Sequence, residues 1–351
     1  MGFDFGGGDE VQFLREGRAG IIKLNRPDAL NALNHSMVLA IQKALNAWET
    51  DDDVCCVLIE GEGRAFSAGA DIVSIYHAHA AGNPAYDFFA DEYSLNAYIG
   101  RFPKPYISFL SGIVMGAGAG IAVHGSHRIV SENTVFAMPE ATIGFFTDVG
   151  GGRFLSRLPA AFGVYLALTA SHIKWGDCLQ LGIATHAIHD EDFIKLRQTI
   201  IDVGDPRPAL EQLALEPNYE TSPEVRSAIN ECFGTATLEQ CIDALQAKAA
   251  DDHVFARLAV EQMERMSPTS LKVIFRQLQT CKPLGLDDCM IVENRIAHRM
   301  LDSYDFYEGI RARLIDKDQS PTWRPAQIKD ITDERVDAYF QPLNNDLEIN
   351  G

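Results

Sequence analysis

Glu140 stands in the stretch Met138-Pro-Glu-Ala-Thr-Ile-Gly-Phe-Phe-Thr-Asp-Val-Gly-Gly-Gly152, which is otherwise almost free of charge. A carboxylate in such surroundings can take a proton from water, or attack an electrophilic carbonyl itself to give an anhydride. Pro139 fixes the approach of the chain, and the apolar neighbours predict a cleft in which the carboxyl is held above its ordinary pKa. Taken in isolation, the same glutamate reads better as a cap on the following turn. Asp148 follows eight residues later. It offers a second carboxylate that would titrate with the first as a coupled unit, or an N-cap worth about 1 kcal/mol for a helix predicted over Gly150 to Leu158.

A second feature is Ser111-Gly-Ile-Val-Met-Gly-Ala-Gly-Ala-Gly120. Glycines alternating at 116, 118 and 120 suit a turn entering a helix whose N-terminus carries partial positive charge, and equally a close packing contact. A dinucleotide fingerprint fits poorly, because it needs glycine where Ile121 stands. His124 and His127 have the spacing of metal ligands but no third partner in sequence, so a packed or hydrogen-bonded histidine is the better reading. The seven cysteines form no CxxC pair and are odd in number. Reduced thiols are therefore expected, rather than disulfides or a zinc site.

The elements that must position these residues are legible in part. Val11 to Leu14 and Gly20 to Leu24 flank a polar turn at 15–18, which predicts a β-hairpin. Ser36 reads as the N-cap of a helix running to about Thr50, with Met37, Ala40, Ile41, Ala44, Leu45 and Trp48 at helical spacing. Cys55 to Ile59, Tyr106 to Leu110, His127 to Ser131 and Thr134 to Ala137 read as strands, and Pro84 to Phe102 as helical. Strands alternating with helices define an α/β domain. Beyond about residue 160 the strand signals fade into helical segments at Ile194 to Val203, Leu238 to Ala249, Ser270 to Thr280 and Asp287 to Leu301. Two regions are expected: a core over residues 1–215 and a helical C-terminal region over 216–351 acting as a lid or assembly surface.

Composition narrows the function classes. At 351 residues, with 46% hydrophobic and 23% charged residues, the chain can bury a large core, and its longest apolar run, Ile113 to Val123, is too short to span a membrane. The N-terminal ten residues lack a secretion or transit pattern, which predicts a cytoplasmic protein. A net charge of −19 argues against a nucleic-acid partner. An anionic ligand would have to be held by a few local cations, backbone N–H groups and helix N-termini.

Three stretches together resemble the crotonase, or enoyl-CoA hydratase/isomerase, superfamily: Leu24-Asn-Arg-Pro-Asp-Ala-Leu-Asn-Ala-Leu33, Ala65-Phe-Ser-Ala-Gly-Ala-Asp71 and the 111–120 segment above. The 138–152 stretch, Ser267-Pro-Thr-Ser-Leu-Lys272 and the segment Phe306 to Gln319 resemble the branch of that superfamily that hydrolyses 3-hydroxyisobutyryl-CoA. The resemblance implies a spiral of repeated ββα units and hydrolysis of a short β-hydroxyacyl-CoA thioester in valine breakdown. The implied oxyanion donors are the N–H groups of Ala70 and Ala117, with Glu140 as base or nucleophile. Asp148 is its implied partner, orienting the water, binding the 3-hydroxyl or holding the shared proton. Small residues at 70 and 117 let a thioester carbonyl approach the backbone.

The implied CoA-binding residues are Arg26, Ser67, Ala68, Asp71, Ile72 and Lys317. Asp28 departs from the lysine often found in that motif, which removes one expected phosphate contact. No resident cofactor is implied, CoA being part of the acyl-CoA substrate, and no metal. Relatives form trimers and hexamers, so a homo-oligomer is left open. Gly120 is an informative absence, because hydratases of the superfamily carry a catalytic glutamate there and dienoyl-CoA isomerases normally an aspartate. A hydratase or isomerase is the nearest rival. A non-catalytic interaction protein on the same fold is the rival from another class.

Overall fold

In a computed structural model, residues 2–349 are described, so the outermost positions of the two expected regions, 1, 350 and 351, lie outside it. The chain divides into two units, which do not follow a single boundary. One is built from the chain up to Asp71, Asp91–Phe136 and Ile173–Glu220. The other is built from Ile72–Ala90, Ala137–His172 and the chain from Thr221 onward.

The first unit carries the strands β1 (Gly2–Phe3), β2 (Val11–Glu16), β3 (Ala19–Leu24), β4 (Cys56–Gly61), β5 (Ala65–Ser67), β6 (Tyr106–Leu110), β7 (Ile113–Met115), β8 (His127–Val130), β9 (Val135–Ala137, whose last residue belongs to the other unit), β10 (Ile173–Lys174) and β11 (His186–Ala187). They form one sheet in the order β1-β2-β3-β4-β6-β8-β11 and a smaller one in the order β10-β9-β7-β5. The β2–β3 hairpin is antiparallel with Val11 opposite Leu24, and β3, β4, β6, β8 and β11 then run parallel. Strands buried on both faces explain the near-continuous apolar runs. Ala19, Ile21, Cys56, Leu58, Ile107, Phe109 and Ile129 pack with Leu196, Ile200 and Leu210 of the helices Phe193–Val203 and Arg207–Leu213. On the alternate positions, a Cβ at Gly20 would lie 2.7 Å from the Trp48 ring, so the helix His35–Glu49 sits directly on β3.

Two details differ from expectation. The cap of that helix is Asn34, whose side chain accepts from the Met37 N–H, while Ser36 lies inside the first turn and bonds to Asn34. Both are good caps, and the choice falls on the residue that also reaches Glu10. The 111–120 segment, whose glycines suit a turn entering a helix, also contains β7, three residues long and too short to show a period.

The second unit is mainly helical, as the fading of strand signals predicts. Pro223–Phe233, Leu238–Ala250 and Pro268–Cys281 start at Ser222, Thr237 and Ser267, whose side chains accept from an N–H of the first turn. Proline at the first position of two of them adds a preset φ. The helix Pro268–Cys281 is the most buried and packs beside Gly151–Ser156, and Leu286–Met300 follows it. No described helix is long and apolar enough to cross a membrane.

Candidate active site

The first unit sets out one half of the chemistry. Asn31 is wholly buried: its amide donates to the Glu62 and Ala65 carbonyls at 2.9 and 2.8 Å and its oxygen accepts from the Arg26 N–H at 2.8 Å. Ser67 Oγ donates to the Asn31 carbonyl, the Ala68 N–H to Leu30, the Leu33 N–H to Gly69 and the Asp71 N–H to Leu33. The 30–33 segment thus runs alongside 67–71 as a parallel pair. In that pattern the residues on either side of Ala70 make the bonds, so the Ala70 N–H faces away from Leu33.

Ala117 is the first residue of the helix Ala117–Val123, where an N–H has no partner within the helix. Among the described residues neither the Ala70 nor the Ala117 N–H donates a hydrogen bond. The two loops are neighbours, because a Cβ on Gly69 (φ +118°) would lie 3.8 Å from the Ala117 nitrogen. Gly116 makes the turn at φ 50°, ψ −126°, and a Cβ at Gly118 would come within 2.6 Å of Ser67. Close packing therefore accounts for Gly118.

Loss of the Asn31 amide should be felt at this site. Asn31→Ala leaves buried backbone groups unpaired, at roughly 1–3 kcal/mol each. Urea denaturation should show that loss together with a raised KM for an acyl-CoA substrate, and an unchanged midpoint would refute the role given to Asn31.

The expected CoA-binding residues are placed as follows. The Arg26 guanidinium is bonded to Glu10 at 2.8 Å, Asp71 at 2.9 Å and the Ala32 carbonyl at 2.7 Å, so it already holds the loop together. Ser67 is buried, with its hydroxyl donating to Asn31 and accepting from Gly69. Ala68 and Asp71 are half-buried in the same loop. Ile72, half-buried, and Lys317, exposed, belong to the second unit.

That unit also holds both carboxylates. Glu140 opens a short 3-10 turn, Glu140–Ile143, closed by Gly144 at φ +72° and by the Phe145 N–H bonding to the Glu140 carbonyl. Phe145 packs against Phe89, Phe146 and Phe306, with ring centroids 5.2, 4.8 and 4.7 Å away. Glu140 is only 7% exposed, and its Oε2 is buried without a hydrogen bond among the described residues. Burial pushes its pKa well above the usual carboxylate value, the charge of Asp148 adds to this, and Glu293 adds further. The two carboxylates are therefore close enough to feel one another.

Asp148 is 4% exposed and sits in a tight turn. Its N–H bonds to Phe146, its carbonyl accepts from Gly151, and the next residue, Val149, is held at φ +52°, an uncommon place for a β-branched side chain. The N-cap role is not taken: the helix is Gly151–Ser156, capped by Gly150 without a side-chain bond. The carboxylate that reaches this turn comes from Glu293, far away in sequence. Glu293 lies on the same helical face as the buried Cys289, Met290, Ile296, Ala297 and Met300. An acid inside an apolar stripe was the available signal.

His127 bonds to Ser126 and stacks on His186 with centroids 5.9 Å apart; burial and then His186 hold its pKa down. All seven cysteines are free thiols.

The sequence matches the family described as enoyl-CoA hydratase/isomerase over residues 19–340. With the unit geometry above, the chain belongs to that family and has the crotonase fold. Among its curated relatives are proteins named 3-hydroxyisobutyryl-CoA hydrolase, mitochondrial. That of Xenopus tropicalis is 41% identical over 97% of this chain and 91% of its own, and that of Homo sapiens is 39% identical over 97% and 91%. Two solved structures are similar throughout. A carnitinyl-CoA dehydratase from Mycobacterium thermoresistibile has a TM-score of 0.91 at 40% identity, covering 98% of this chain and 100% of its own. An enoyl-CoA hydratase from Rhodobacter sphaeroides 2.4.1 has a TM-score of 0.88 at 36% identity, covering 97% and 99%.

Proposed function

We propose that this protein hydrolyses a short β-hydroxyacyl-CoA thioester, 3-hydroxyisobutyryl-CoA, to 3-hydroxyisobutyrate and CoA. The observation that carries the reading is the buried Glu140–Asp148 pair, with one Glu140 oxygen free of any hydrogen bond among the described residues. The curated relatives' names supply the substrate. In this reading the unpaired N–H groups of Ala70 and Ala117 receive the oxyanion that forms when the thioester carbon becomes tetrahedral. Water oxygen bonds to that carbon as Glu140 takes its proton, the C–S bond breaks, and the proton passes to the thiolate to give CoA. If Glu140 attacks directly, an anhydride forms as the thiolate leaves, and water then cleaves it. Asp148 orients the water or the 3-hydroxyl.

The backbone from Ser67 to Ile72 and Lys317 contact the CoA portion, and Arg26 serves it through the loop it braces. We further propose a cytoplasmic location and acyl-CoA rather than nucleic acid as partner, with a homo-oligomer left open.

The names of the two similar solved proteins favour a second reading, addition or removal of water at a carbon–carbon double bond. Gly120 speaks against it, since the position offers no side chain to be the acid that hydratases place there. The reactions leave different traces. Hydrolysis should release free thiol from 3-hydroxyisobutyryl-CoA, detected with a thiol reagent, and leave the conjugated absorbance of crotonyl-CoA unchanged. Loss of that absorbance without thiol release would establish the second reading instead.

A further inference from the structure

A wholly buried acid that no step above uses is Glu293, on the helix Leu286–Met300. Its Oε2 accepts from the Gly150 N–H at 2.6 Å, and its Oε1 from the Gly152 N–H at 2.9 Å, the Gln277 amide at 2.8 Å and the Cys289 thiol at 3.3 Å. Gln277 also donates to the Thr147 carbonyl at 2.8 Å and accepts from the Thr147 hydroxyl at 3.4 Å. Two side chains from two successive helices therefore grip the segment Thr147–Gly152 at both ends, and Asp148 lies between the grips. A Cβ at Gly152 would meet Cys281 and Gln277 at 2.9 Å, so this glycine lets the helix Pro268–Cys281 approach the turn. The Cys281, Cys289 and Glu293 ligand atoms lie within 4.8 Å of one another. Four donors already occupy the Glu293 oxygens, however, which favours a clamp over a metal site.

We infer that Glu293, with Gln277 as its strut, is a positioning residue that fixes the Thr147–Gly152 turn and thereby sets Asp148 relative to Glu140. Burying an acid whose charged form must be compensated by several donors is costly, and a hydrophobic residue would pack the same space more cheaply. The arrangement is explained if the turn needs fixed acceptors: its backbone bends through Val149 at φ +52° and Gly150 at φ +84°, and buried N–H groups at that bend are what Glu293 binds. An acceptor pair on a rigid helix is the device that holds such a bend in one shape.

The inference rests on the hydrolase reading, and the test separates the two. Glu293→Gln keeps the volume but puts a donor where the turn also donates. For thiol release from 3-hydroxyisobutyryl-CoA, kcat should fall roughly 10²-fold, the scale of a misplacement of about 1 Å, with KM little changed because the turn does not hold CoA. Among the described residues, the charged and titratable groups around Glu293 and Glu140 include Asp148, Cys281, Cys289 and, beside Cys289, Arg153. With Asp148 retained and the Glu293 charge gone, the acid limb of kcat/KM should move to lower pH, because the Glu293 charge helps to raise the Glu140 pKa. Gln277→Met, which leaves the Glu293 carboxyl and its bonds to Gly150 and Gly152 but removes one donor that favours its charged form, should lower kcat with a smaller shift of the acid limb than Glu293→Gln, and it keeps the test open if the first variant fails to fold. Native kcat and an unmoved limb in a folded Glu293→Gln, or native kcat in Gln277→Met, would overturn the inference. Failure of the native protein to release thiol would overturn the hydrolase reading instead.

Discussion

Glu140→Gln is expected to lower kcat for thiol release by about 10²–10⁴-fold, with KM close to native. Glutamine keeps the size and one oxygen of the side chain, so the local packing is retained, but it takes no proton from water and does not attack a carbonyl. The burial that raises the Glu140 pKa supports this result. A carboxylate with an ordinary pKa would be a weak base near pH 7, whereas one raised toward the working pH is well matched to proton transfer. The unbonded Oε2 is the atom free to act. Single turnover in ¹⁸O-water reports the anhydride route when label enters Glu140, and trapping with hydroxylamine detects an anhydride that water would cleave at the acyl carbon; direct attack by water gives neither. Full thiol release by a folded Glu140→Gln protein would remove Glu140 from the chemistry.

The fold was legible in the sequence wherever a period was long enough to express itself. The hairpin at 11–24, the helix ending at Glu49 and the four long C-terminal helices lie within a residue or two of their expected limits, because burial on one face writes an apolar spacing into each. The strand Ile113–Met115 is three residues between glycines and writes none. Candidate catalytic residues were legible through motif resemblance, with local chemistry making each plausible. What sequence did not display was the support. Asn31 looks like one more loop polar residue until its side chain is seen to hold Glu62, Ala65 and Arg26. Glu293 acts on residues 141 and 143 positions earlier in the chain, a distance at which no local pattern operates. The division into two units was hidden for the same reason, since segments 72–90 and 137–172 group with the chain from Thr221 onward, across the intervening strands of the other unit. Arg26 shows how a cation's partners stay hidden in sequence: the three protein acceptors around it appear only in space.

The same substitution at Glu140 should make the protein more stable at neutral and alkaline pH while it removes activity. The folded protein holds the Glu140 carboxyl well above its value in the unfolded chain, mainly by burial and secondarily through Asp148. A group whose pKa is raised by folding contributes stability that is complete below the unfolded value of 4.5 and is lost as pH rises through the folded value. Each pH unit between the two values costs about 1.4 kcal/mol. Glutamine does not titrate, so the variant escapes this loss. Glu293, raised by burial to about 7, loses stability in the same direction, but it is present in both proteins and largely cancels from the difference. The carboxylates held low by arginine, such as Glu16 beside Arg197 and Asp205 beside Arg207, cancel likewise. Melting temperatures measured from pH 4 to pH 9 should therefore show the variant above native at pH 8, with the gap closing as pH falls toward 4.5. A variant that melts below native at pH 8 would mean that the ionised carboxylate is stabilised where it sits. In that case the case for a strained, reactive Glu140 would fail, because a comfortable carboxylate has little driving force to take a proton.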